Sequence, residues 1–82
     1  MLQKTDLTRL DELITEISDS REGQCDLLRE HLEAARTYLL GSMPKEYRLS
    51  LQLASEALNC LSDEDLRQRA NEIISGLLAE EE

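Results

Sequence analysis

Few residues of this chain could do chemistry: one histidine, His31, two cysteines, Cys25 and Cys60, and carboxylates at helical spacing, Glu12 with Glu16 and Glu30 with Glu33. A histidine acting as general base needs a partner within hydrogen-bond reach and a cleft. His31 stands instead among Leu28, Leu32 and Ala35 on the apolar arc of a helix, where it reads as a structural residue. The glutamate pairs lack the Glu-x-x-His pattern of a di-iron bundle, because Glu30 and His31 are adjacent. The cysteines are far apart and form no C-x-x-C pair, and two thiols with one histidine make no zinc ligand set. They read as free buried thiols in a reducing compartment. With no Gly-rich phosphate loop, nucleophile elbow or paired metal motif, the sequence assigns no catalytic residue, no cofactor and no metal, and implies no catalysis of its own.

Composition narrows the class of partner. Eighteen acids against nine bases give a net charge of −9 over 82 residues, whereas tracking a phosphate backbone needs a basic stripe; direct nucleic-acid binding is not expected. Residues 1–23 carry six acids and three bases, and residues 62–82 carry seven acids and two bases, so the middle is nearly neutral. The acidic ends read first as a solvated surface that keeps a small protein soluble. The N-terminus MLQKTDLTRL has no apolar core of a signal peptide, and no apolar run approaches the roughly 18 residues of a membrane span. The expectation is a cytoplasmic protein with no membrane contact.

The elements are helices. Leu, Ile and Ala supply the apolar content, two tyrosines are the only aromatics, and strand-favouring runs are missing. The segment Pro44–Leu61 organises the rest: Tyr47, Leu49, Leu51, Leu53, Ala54, Ala57, Leu58, Cys60 and Leu61 occupy about 200° of its wheel, against the roughly 100° stripe of a helix lying on a core. That arc predicts burial on two sides. Ahead of it, Leu7, Leu10, Leu13, Ile14 and Ile17 form a stripe of about 120°, with Thr5 or Asp6 as cap. The wheel carried unbroken from Leu7 places Leu28, Leu32, Ala35 and Leu39 on the same side. The phase predicts one long helix over about 6–40, with Gly23 as a place for a kink; the alternative is a break at 19–24 that lets four short helices close as a monomeric bundle. Gly41 ends this rod at the left-handed position after a helix, and Ser42 caps the next, with Pro44 in its first turn. Ser62, followed by Asp63, Glu64 and Asp65, starts a third helix over about 63–79, which carries Leu66, Ala70, Ile73, Ile74, Leu77 and Leu78 on one face. Asp63 with Arg67 and Asp65 with Arg69 are helical pairs, and Glu80, Glu81 and Glu82 form a frayed acidic tail.

Two stretches carry resemblances. REHLEAARTYLLGSMPKEYRLSLQLASEALNCLSDED is similar to one helical-hairpin unit of the tetratricopeptide type, in which Ala57 and Leu58 match the second helix; such units stack in about three copies or more. RLSLQLA, Arg48 to Ala54, resembles the second-helix Ser-Gln-Glu-Leu-Asp motif of the aspartyl-phosphate phosphatases of sporulating bacteria. It keeps Ser50 and Leu53 but has Leu51, Gln52 and Ala54 at the other positions, so both acids are lost and the activity does not carry over.

The reading is therefore a single all-α domain, a long N-terminal helix packed with an antiparallel helical hairpin into a helical bundle. A hairpin of about 18 residues per arm covers half of such a rod, leaving Leu7, Leu10, Ile14 and Ile17 to bury against a second copy in a two-fold homodimer. Arg36, Leu40, Lys45 and Arg48, near the hairpin end, form a candidate docking spot for a further, unidentified protein. The functional expectation is a small acidic interaction module acting as adaptor or regulator; the alternative is an acidic inhibitor or subunit that binds a basic groove, in place of nucleic acid.

Overall fold

The computed structural model describes residues 4–19 and 25–80. Among them are four α-helices, α1 Lys4–Asp19, α2 Asp26–Leu40, α3 Pro44–Glu56 and α4 Glu64–Glu80, with a 3-10 turn at Leu58–Cys60 and no strand. The chain is all-helical. The bundle measures 34 × 20 × 19 Å.

The continuous helix over 6–40 is corrected. Arg36 on α2 donates from Nε to Oδ1 of Asp11 on α1 at 2.5 Å, across 25 residues; along one straight helix those residues would stand about 38 Å apart. Cys25, at φ −107° and ψ 21°, is not helical. α1 and α2 thus lie side by side, as in the broken-helix alternative; residues 20–24, Gly23 among them, lie outside the described residues. Matched phase proved no measure of continuity, because each helix is amphipathic by itself and turns its stripe to the common core. α1 starts at Lys4, which puts Asp6 inside its first turn rather than ahead of it.

This side-by-side packing also changes what covers the N-terminal stripe. Leu10 is 0% and Ile17 3% exposed within a single chain, Leu13 is equally buried, and Leu7 and Ile14 pack against the core. Burying three such side chains contributes about 1.5–3 kcal/mol each. The half-exposed ion pairs that flank α1, Arg36 with Asp11 and Arg69 of α4 with Glu16, contribute about 0–1 kcal/mol each. Apolar burial therefore docks α1, and the dimer seam expected at Leu7, Leu10, Ile14 and Ile17 loses its physical basis.

Short connections make successive helices antiparallel. The α2–α3 turn is a Schellman motif: the Met43 N–H donates to the Tyr38 carbonyl at 2.9 Å and the Ser42 N–H to the Leu39 carbonyl at 3.2 Å. The left-handed residue is Ser42, at φ 56°, and not Gly41, at φ −86°. The expected roles shift by one position, so Ser42 closes α2 instead of capping α3, and Met43 stands ahead of Pro44 without a side-chain cap.

On α3, Tyr47, Ser50, Leu51 and Ala54 are buried, but Leu49 and Leu53 remain in solvent. Burial on two sides is therefore corrected: the arc contains the core stripe and a second stripe turned outward. The α-helix ends at Glu56, and Leu58–Cys60 continues as the tighter turn, with Leu58 and Leu61 buried. At the head of α4, Oδ1 of Asp63 accepts from the N–H groups of Asp65 at 3.0 Å and Leu66 at 3.2 Å. Asp63, one residue later than Ser62, is the cap. Arg69 pairs with Glu16 on α1, a link that helps close the ring of four helices.

Candidate functional site

The side chains that could do chemistry do not assemble into one site. His31 is half-buried on α2. Cys25 and Cys60 are joined in a disulfide, which overturns the reading of free thiols. That reading rested on the wide sequence separation, which the antiparallel hairpin closes by placing the start of α2 beside the end of α3. The pairing also removes the thiol argument for a reducing compartment. Among the described residues no group of three or more His, Cys, Asp or Glu could hold a metal ion, and no helix is long and apolar enough to cross a membrane. An open cleft of ≈ 380 Å³ at the elbow of α3 and α4 is lined by Ser55, Leu58, Asn59, Glu64, Arg67, Gln68 and Asn71. Its walls offer hydrogen-bonding groups to a small polar molecule, and neither His31 nor a sulfur lies in it.

The large exposed apolar side chains mark a different place. Among the described residues they are Leu27 (57%), Leu40 (47%), Met43 (43%), Leu49 (56%) and Leu53 (38%). All five belong to the α2–α3 hairpin or its turn. Single exposed leucines are ordinary; here Leu27, Leu49 and Leu53 gather along the hairpin, with Leu40 and Met43 apart from Leu27 at its turn.

The orientation of the hairpin follows from two arginines. Arg36 reaches from α2 to Asp11 on α1, and Arg48 donates from α3 to the Leu78 carbonyl on α4 at 3.4 Å. Those sides of α2 and α3 therefore face α1 and α4. The opposite sides, about 180° round each helix, face each other across the α2–α3 seam. On the wheel, Leu27, His31, Ala34 and Tyr38 fall there on α2, and Leu53 and Ala57 on α3, with Leu49 beside them on the outward crest. Small residues at or beside the seam, Ala34, Ala35, Ser50, Ala54 and Ala57, let the two backbones approach, and Leu27, Leu49 and Leu53 stand exposed along its outer side.

The docking set read from sequence divides accordingly. Leu40 and Lys45 are exposed at the hairpin tip, whereas Arg36 and Arg48 are half-buried and engaged with the neighbouring helices. Sequence reasoning missed Leu27, Leu49 and Leu53 as surface residues. A signal was present: Leu49 lies about 200° from Tyr47 on the wheel, nearly opposite the core direction, and was assigned to a second covering helix instead of to solvent.

Among the described residues the arrangement is that of a helical bundle with an apolar strip along one hairpin. Comparison with protein-family models, with curated proteins and with solved structures finds no match to this chain.

Proposed function

We propose that the protein is a small acidic helical interaction module that acts as an adaptor or regulator by binding another protein, with no catalysis of its own. What supports the reading is that, among the described residues, the exposed large apolar side chains Leu27, Leu40, Met43, Leu49 and Leu53 all belong to one hairpin, while α1 and α4 spend their apolar residues on the core. Exposed apolar area forgoes about 25 cal/mol per Å² that a partner would recover. The binding surface is the hairpin, and the N-terminal stripe is not part of it.

The experiment is quantitative affinity capture from the source cell with the wild-type chain, with Leu49→Ser/Leu53→Ser, and with Glu72→Gln on the exposed side of α4 as control. A discrete set of proteins retained by the wild type and the control and lost by the double variant is the expected result. Identical capture by all three sinks the reading.

A further inference from the structure

Resting on that reading and naming its partner, we infer that the outer side of the α2–α3 seam receives a basic amphipathic helix of another protein. Apart from His31 this strip is apolar: Leu27, Ala34 and Tyr38 from α2 and Leu53 and Ala57 from α3 share the seam side fixed by the Arg36–Asp11 and Arg48–Leu78 contacts, with Leu49 beside them. From Leu27 to Tyr38 it extends about 16 Å at 1.5 Å per residue, room for about three turns of a helix offering apolar anchors at i, i+3 or i+4, and i+7.

The edges are acidic. Asp26, Glu30 and Glu33 fall on the outward crest of α2, and Glu46 and Glu56 border the strip on α3; all five are exposed. Against them stand Lys45 and the half-buried His31; Arg36 and Arg48 point to α1 and α4, and Arg29 and Asp26, bonded at 3.3 Å, offset one another. A second copy seated here would bring Glu30, Glu33, Glu46 and Glu56 against their own counterparts, between chains of net charge −9 each, and like charges across an interface are penalised. A helix with Lys or Arg on both flanks of an apolar stripe satisfies strip and edges together. Its association is steered by the same field, and weakens with salt.

The test uses two synthetic helical peptides of equal length with the same leucine stripe, one flanked by lysines and one by glutamates, each titrated into the isotope-labelled full chain. The lysine peptide is expected to shift the amides of residues 27–38 and 46–57. It should bind about tenfold or more weakly to Leu49→Ser/Leu53→Ser and more weakly, with a smaller salt dependence, to Glu30→Gln/Glu33→Gln. Three results overturn the inference: shifts spread over the acidic surfaces of α1 and α4 with the leucine variant unaffected; equal binding of the glutamate peptide; or a wild-type dimer by sedimentation equilibrium that the leucine variant dissociates. If cellular capture depends on Leu49 and Leu53 while the lysine peptide does not bind, the interaction role stands and the basic helix alone falls.

Discussion

Cys25 and Cys60 are covalently joined, their Cα atoms 5.4 Å apart across 35 residues of sequence. Cys25 immediately precedes α2, and Cys60 ends the 3-10 turn that follows α3, so the bond clamps the open end of the hairpin whose other end is the Schellman turn. Both helices that carry the apolar strip thus belong to one closed loop.

Reducing that bond is expected to lower stability by about 3–4 kcal/mol, the chain entropy regained by an unfolded loop of this length. Urea unfolding followed by circular dichroism, with and without a phosphine reductant, measures it. Cys60→Ser should match the reduced protein, and coincident curves for oxidised and reduced wild type would refute the clamp.

Ser42 holds a left-handed backbone, φ 56°, in which an L-residue pays a penalty that glycine escapes. Ser42→Gly should therefore stabilise the fold by about 0.5–1 kcal/mol even after glycine's greater freedom in the unfolded chain is counted. The rise in Tm, roughly 2–6 °C for a domain of this size, is readable by calorimetry. A fall in Tm would refute the assignment of the turn.

Leu10 is fully buried at the centre of α1. Leu10→Ala should cost about 2–5 kcal/mol through lost transfer energy and the cavity left behind. Because the stripe is covered by its own chain, this loss should appear as a lower urea midpoint, with no concentration dependence. Had α1 been a seam between copies, the midpoint would rise with protein concentration.

At the head of α4, Asp63→Ala leaves two N–H groups without their acceptor, those of Asp65 and Leu66. About 1 kcal/mol of stability should go, and amide exchange should quicken in the first turn of α4. Ser62→Ala is expected to leave those two amides unchanged, since they bond to Asp63.

How much of this was legible in the chain can be judged at particular residues. The 3.6-residue periodicity placed the helical segments, though it ran α1 and α2 together as one, and most of the core, including Leu28, Leu32, Ala35, Leu39, Leu66, Ala70, Ile74 and Leu77, because burial of one face is imposed locally by side-chain spacing. Turns came out within a residue, at Gly41–Pro44 and Ser62–Asp63. Left-handed geometry at Ser42 and capping by Asp63 are choices among neighbours of similar propensity, decided by how the helices meet.

Composition and spacing determined an all-helical, acidic chain with no motif for catalysis, since these are properties of residues and their order. Three matters belonged to the tertiary structure alone: that α1 and α2 lie side by side, that Cys25 meets Cys60, and that Leu49 and Leu53 face water while Leu10 and Ile17 do not. A wheel says which residues share a face. Which faces find neighbours depends on contacts between segments far apart in sequence, and only the assembled bundle supplies them.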